Sequence, residues 1–314
     1  QVFKVIMVPE NVTHIPEFIL VGFPAPPELQ ALLFVLFLAV YLLTVTENLV
    51  ITVLIVTSPQ LHRPMYFFLG HLAFLEACYI SVTVPKLLVS LVGRTQSISF
   101  PGCMAQLYFF VALVCTECAL LAVMALDRCV AICTPLQYPL TMSHRACRQL
   151  ATGSWLLGFL VALLKVFFIS QLSFCGPRVI NHFYCDIGPV LSLSCSRRRR
   201  AEIVDFISAL LILLIPLSVI IISYTCIIST VLLIPKAQNR RKAFFTCASH
   251  LAVVIIFFSA TLFMYARPRS IRSWDLNKLV SLIYTIITPM LNPFIYCLRN
   301  QEIKDTLLKV LCSR

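Results

Sequence analysis

The chain has 314 residues, 60% of them hydrophobic and only 12% charged, with a formal net charge of +12. That composition excludes a string of soluble domains and leaves no room for a separate catalytic one. The positive balance does not indicate nucleic acid, because the cations lie between apolar runs and form no basic stripe with interleaved aromatics.

Residues 1–28 hold Glu10, Glu17 and Glu28 and lack a sustained apolar core, so no cleavable signal peptide is expected there. Asn11-Val12-Thr13 is a glycosylation sequon. Seven apolar stretches follow, at about 30–56, 64–92, 101–133, 149–169, 203–234, 244–266 and 276–298. A spanning helix needs roughly 20 mostly apolar residues. The runs are too long and continuous for the alternating ten-residue strands of a barrel. The expected fold is all-α: a seven-transmembrane helix bundle over residues 29–299, with residues 1–28 extracellular and 300–314 a cytoplasmic tail. In that tail Ile303, Leu307, Val310 and Leu311 share one side and Lys304, Asp305 and Lys309 the other, as in a short amphipathic helix on the membrane surface. Cys312 is a candidate for palmitoylation.

Orientation is not set by cations alone. Arg197 to Arg200, with Arg267, Arg269 and Arg272, nearly balance the basic residues on the opposite side. The sequon and the cysteines break the tie. Cys103, Cys175, Cys185 and Cys195 all fall on the side of the N-terminus, and disulfides persist on the oxidising side. The N-terminus is therefore expected outside and the C-terminus inside. Cys78, Cys115, Cys118, Cys129, Cys133, Cys226, Cys247 and Cys297 lie within spans and read as small buried thiols.

Some features stay open on the residues alone. Glu76 and Glu117 are intramembrane carboxylates, which share a proton, hold a sodium ion or are bridged by water. Lys165 either snorkels outward or points into a cavity, where it would attract an acid or aldehyde. His182, Cys185 and Asp186 offer a copper-type ligand set or, for Cys185, a disulfide. Val111, Val114, Cys115 and Cys118 lie on one helical face, as do Asp205, Ser208, Ala209 and Ile212, and Phe258, Thr261, Leu262 and Tyr265. Spacing alone does not separate a cavity wall from helix packing.

The third run ends on Met124-Ala125-Leu126-Asp127-Arg128-Cys129-Val130-Ala131-Ile132-Cys133, followed by Pro135-Leu136-Gln137-Tyr138. With Leu61-His62-Arg63-Pro64-Met65-Tyr66-Phe67-Phe68-Leu69, Ser223-Tyr224, Lys242-Ala243-Phe244-Phe245-Thr246-Cys247-Ala248-Ser249-His250-Leu251 and Pro289-Met290-Leu291-Asn292-Pro293-Phe294-Ile295-Tyr296, it resembles the odorant receptors of the tetrapod-type class, within the rhodopsin-like G protein-coupled receptors. The resemblance runs from about Glu17 to Asn300. Glu47 before Asn48, Leu126, Cys129, Phe245 and the four-arginine run depart from the usual spelling.

The resemblance implies a plasma-membrane receptor, not an enzyme, that needs no cofactor. It would bind a small, mostly apolar odorant and activate a stimulatory, olfactory-type heterotrimeric G protein, raising cyclic AMP. The implied ligand positions are Phe110, Val111, Val114, Cys115, Cys118, Ile187, Ser208, Ile212, Phe258, Thr261, Tyr265 and Thr285. With Phe110 and Val111 where amine receptors keep a carboxylate, a cationic amine is disfavoured. The implied disulfides are Cys103 with Cys185 and Cys175 with Cys195. Asn48, Glu76, Glu117 and Asn292 would share one polar pocket. Arg128 would pair with Asp127 at rest and turn toward the G protein on activation, with Tyr224 and Tyr296 placed to catch it. Membrane lipids are the remaining partners. A non-olfactory chemosensory receptor of the same fold differs only in ligand; a small-solute transporter would call for inverted repeats and mid-membrane breaks.

Overall fold

The structure, a computed structural model, describes residues 17–23, 25–93, 96–175, 178–195, 199–233, 237–265, 274–297 and 301–312. Backbone amides inside a bilayer have no water to bond, so each apolar run closes its own hydrogen bonds as a helix. A short strand, β1 (Glu17–Leu20), precedes α1 (Pro27–Thr57) and α2 (Pro64–Val92). A second strand, β2 (Ser97–Ser99), leads into α3 (Phe100–Cys133), the four-residue α4 (Tyr138–Thr141) and α5 (His144–Ser170). The next connection holds β3 (Val179–Ile180) and α6 (Ile187–Ser192), before α7 (Arg199–Leu232) and α8 (Ala237–Tyr265). The last span is α9 (Trp274–Leu282), a π turn at Ile283–Ile287 and α10 (Thr288–Cys297); α11 (Gln301–Cys312) follows.

Among the described residues, α1, α2, α3, α5 and α7 are long and apolar enough to cross a membrane by themselves. The sixth crossing is the apolar stretch His250–Met264 of α8, and the seventh is the α9–α10 unit. The protein is a seven-helix membrane bundle. The seventh run, expected as one helix, is interrupted. Pro289 has no N–H to offer the Thr285 carbonyl, and the helix widens before it. Thr288 Oγ1 donates to the Ile283 carbonyl at 3.2 Å within the widened turn.

Helix starts follow local chemistry. Pro27 and Pro64 open their helices, where a missing N–H costs nothing. Ser99 caps α3 by accepting from Gly102 N at 3.2 Å, and Ser143 caps α5 by accepting from Ala146 N at 3.4 Å.

Burial separates lipid-facing from central helices. In α1, Leu32, Val35, Val53 and Val56 are each more than half exposed. In water such a stripe would drive association; against lipid tails it is at home. By contrast, α3 is buried around nearly its whole circumference from Cys103 to Asp127. It lies close against α5 because Gly158 has no side chain. A Cβ there would fall 2.1 Å from Thr116 Oγ1 and 2.5 Å from the Ala112 carbonyl.

One end of the bundle is covered by a sheet of order β2-β1-β3, which the apolar periodicity does not announce. Glu17 pairs with Ser99 in the antiparallel ladder, and Leu20 with Ile180 in the parallel one. Phe18 and Leu20 turn inward and are fully buried. The Phe18 ring meets Phe100 at 6.0 Å and Phe174 at 5.6 Å. Two disulfides lie at the same end, Cys103–Cys185 and Cys175–Cys195.

Candidate functional site

Below the sheet, α3, α5, α7 and α8 enclose a cavity of about 20 Å³. Its wall is Val111, Val114, Cys115 and Cys118 from α3, Lys165 from α5, Ala209, Ile212 and Leu213 from α7, and Thr261 from α8. The i, i+3, i+4, i+7 face of α3 thus faces a cavity rather than only a neighbouring helix. The volume is enough for about one water molecule, so anything larger must part the walls.

Lys165 is the polar feature of this wall. Its side chain is 4% exposed and its Nζ lies 2.8 Å from Asp205 Oδ1, one turn above Ala209 on α7. Outward snorkelling is therefore corrected: the ammonium turns into the protein because Asp205 meets it there. That partner is the functional residue sequence reasoning missed. Asp205 stood only as one member of a helical face, 40 residues away in the chain.

Other expected ligand positions do not line this cavity. Phe110 stacks between Tyr79 (5.3 Å) and Tyr184 (4.6 Å). Phe258 is buried in contact with Phe257. Ser208 donates to the Asp205 carbonyl at 3.1 Å, and Thr285 to the Ser281 carbonyl at 2.6 Å. Ile187 is buried at the start of α6. The side chain of Tyr265 lies outside the described residues, as do that of Tyr296 and the whole of Asn11.

The loop above the cavity is a dense polar and aromatic plug. Gln106 donates to the Val82 carbonyl at 2.9 Å and accepts from Cys185 N at 3.0 Å, fixing the disulfide over α3. Tyr184 and Tyr284 share a hydrogen bond of 2.7 Å. His182 Nε2 lies 3.1 Å from Ser281 Oγ. Burial, with the Lys278 cation nearby, holds this imidazole down at about 3, so it is neutral at neutral pH. Asp186 accepts from Ile187 N at 2.9 Å; burial pushes its carboxyl up to about 6 against that bond. The copper reading of this segment is corrected, because Cys185 is committed to Cys103, His182 to Ser281 and Asp186 to the α6 cap.

Deeper in the bundle, Asn292 Nδ2 donates to Glu76 Oε1, and Asn48 Nδ2 donates to the carbonyls of Thr44 (3.0 Å) and Pro289 (3.2 Å). Glu76, Glu117, Asn48 and Asn292 are all buried, and Glu117 is within electrostatic reach of Glu76. Among the described residues no three His, Cys, Asp or Glu side chains gather to hold a metal.

At the opposite end, Asp127 accepts from Tyr138 Oη at 2.8 Å. Arg128 lies within electrostatic reach of Asp127, without a contact as short as the ion pairs Arg63–Glu302 and Lys165–Asp205 among the described residues. Adjacent helical residues point about 100° apart, so Asp127 faces α4 while Arg128 is left within electrostatic reach of Tyr224, Cys247 and His250. Tyr224 Oη does not hold Arg128; it bonds His250 Nδ1 at 2.6 Å, tying α7 to α8. Cys129 and Cys133 lie 3.9 Å apart on α3, and Thr230 donates to Cys133 Sγ at 3.3 Å.

A family model described as "Olfactory receptor" matches residues 37–314. The chain is 58% identical over 301 residues to "Olfactory receptor 6B1" of Homo sapiens, covering 96% of each chain. It is 56% identical over 304 residues to "Olfactory receptor 6B9" of Mus musculus, covering 97% of this chain and 96% of that one. With "Olfactory receptor 226" of Rattus norvegicus it shares 54% identity over 302 residues, 95% and 92% of the two chains.

Proposed function

Because this chain belongs to the olfactory receptor family, and is therefore a multi-pass membrane receptor for odorants and not an enzyme, we propose how its two ends divide the work. The sheet-covered, disulfide-bearing end faces outward with the N-terminus, and the α11 end faces the cytoplasm. A small, mostly apolar odorant carrying one hydrogen-bonding group binds in the cavity between α3, α5, α7 and α8. Its apolar body lies against Val111, Val114 and Ile212, and its polar group meets the Lys165–Asp205 pair. The observation that carries this reading is that pair on an otherwise apolar cavity wall. With only about 20 Å³ free at rest, the odorant binds by favouring a conformation in which α7 and α8 stand farther from α3.

That movement breaks the Tyr224–His250 bond between α7 and α8. Arg128 then turns toward a stimulatory, olfactory-type G protein, and cyclic AMP rises. Asp127 stays with Tyr138 and holds the α3–α4 corner in shape for the partner. The buried Glu76–Asn292 contact links α2 to α10 across the middle of the bundle and carries the change between the two ends. Glu76 and Glu117 are held together by a shared proton, a sodium ion or a bridging water.

The test is an odorant panel with a cyclic AMP readout in cells, on wild type, Val114→Phe and Arg128→Ala. Val114→Phe fills the cavity and is expected to abolish odorant responses at unchanged surface expression. Arg128→Ala is expected to abolish cyclic AMP while odorant affinity persists. Full responses from Val114→Phe would remove the cavity from ligand binding.

A further inference from the structure

A second and much larger hollow lies near the other end of the bundle. It is a groove of about 620 Å³ between α1, α2 and the start of α5. Its walls are apolar: Val56 from α1, Phe67 and Phe74 from α2. Val56 is 68% exposed and Phe74 45%, so the groove opens toward lipid rather than into the bundle. Gly70 forms part of its lining, and a Cβ there would already meet Ile55 at 3.4 Å. The volume lies in the range of about 300–1,000 Å³ that buries small ligands.

The rim of the groove is basic. His62 and Arg63 stand on the α1–α2 side, His144 and Arg148 on the first turns of α5. Among the described residues no aspartate or glutamate lines it. Glu302 of α11 takes Arg63 at 3.0 and 3.2 Å and Tyr66 at 2.8 Å. Arg63 is therefore already compensated, which leaves Arg148, one helical turn from His144 on α5, as the other guanidinium of the rim. The same contact sets the depth of the rim. It fastens α2 to α11, which buries Ile303 and leaves Asp305 and Lys309 exposed, the disposition of a helix lying at headgroup level.

We infer that this groove is a binding site for one anionic phospholipid of the leaflet on which α11 rests. One acyl chain lies against Val56, Phe67 and Phe74, and the phosphate lies beside Arg148 and His144, the His62 ring being bonded to the Val56 carbonyl at 3.2 Å. Charge complementarity selects the occupant: an apolar slot alone would take any acyl chain, but a rim without acids at headgroup depth favours a net negative headgroup. Each basic residue near an anionic membrane surface strengthens attachment about fivefold. The inference is independent of which odorant the outer cavity takes.

The experiment uses the full-length receptor in nanodiscs made from an equal mixture of phosphatidylcholine and phosphatidylglycerol. After transfer to detergent, native mass spectrometry counts the lipids retained. Wild type is expected to keep phosphatidylglycerol in preference to phosphatidylcholine. Arg148→Gln lowers that preference about fivefold, and adding His144→Gln lowers it further. Arg148 and His144 are exposed, so these variants fold as wild type does. Val56→Trp, which fills the slot, removes the retained lipid while leaving the charges in place. Equal retention of the two phospholipids by wild type would overturn the inference, as would an unchanged preference in Arg148→Gln. Full displacement by cholesterol would make the groove a sterol site instead. Full competition by glycerol phosphate would reduce it to a site for free anions.

Discussion

Replacing Lys165 by Met is the sharpest test of how the cavity is built. Lys165 and Asp205 lie 2.8 Å apart, with side chains 4% and 20% exposed. Taking both charges out of water is costly, and their mutual attraction offsets the cost only while both are present. Removing one partner of a buried pair costs about 3–5 kcal/mol. Asp205 keeps some access to solvent, which places Lys165→Met near the lower figure, about 3 kcal/mol. At about 2–4 °C per kcal/mol for a domain of this size class, the thermal unfolding midpoint of the purified receptor in detergent falls by on the order of 10 °C. The double variant Lys165→Met/Asp205→Leu removes both charges at similar volume. It recovers most of the loss, ending within about 1 kcal/mol of wild type. It does not recover the response to odorants carrying a hydrogen-bond acceptor, because the polar anchor is gone. A Lys165→Met variant as stable as wild type would refute the reasoning, and so would a double variant no more stable than the single one. Either result would return Lys165 to the surface.

Gly158→Ala is expected to destabilise the bundle by about 1–3 kcal/mol or more, since the new methyl falls 2.5 Å from the Ala112 carbonyl; adding Thr116→Ala relieves only the 2.1 Å clash, so thermal unfolding of the double variant recovers in part. Tyr138→Phe leaves the buried Asp127 without its 2.8 Å donor and costs about 1–3 kcal/mol, read as lower thermal stability and weaker coupling at equal odorant affinity. The outer loop answers pH through two groups of opposite sign. His182 is held down at about 3, so its contribution is complete above its ordinary value near 6.5 and is lost as pH falls below it. Asp186 is raised to about 6, so its contribution is complete below its ordinary value near 3.8 and is lost as pH rises through about 6. The two nearly cancel between about pH 6 and 4. Unfolding midpoints of Asp186→Asn should therefore fall steadily on acidification from pH 7, and those of His182→Gln should rise; parallel curves for both variants would show that neither group is buried as described.

The seven crossings are legible in the sequence because lipid imposes one requirement on every span, and the apolar runs record it. The lid is not. Its strand Glu17–Leu20 has only four residues, and its partners lie near residues 98 and 180, so local alternation gives no usable signal. The break in the last span has a visible cause in Pro289, but a proline in an apolar run allows a kink, a bulge or nothing. At the cavity, helical spacing found the α3 face and missed its counterpart. Phe110 shares that side of α3, yet three aromatic rings claim it above the cavity. Lys165 showed a charge in need of a partner but not which of several acids would be near. Arg128 and Asp127 are legible as an acid beside a base, but the Tyr138 hydroxyl on Asp127 is not, because α4 lies beyond the helical run.

The three-stranded lid also imposes a schedule on synthesis. Its central strand is made long before one neighbour in the sheet, Val179–Ile180. At about 5–20 residues per second, the ribosome takes roughly 10–30 s to supply that neighbour. Until then Phe18 and Leu20 have no interior to occupy, and the clasp between Cys103 and Cys185 has no second half. The nascent receptor therefore carries these two apolar side chains unburied while four helices are threaded. Slowing elongation in that interval is expected to raise the yield of misassembled chains more than slowing it later.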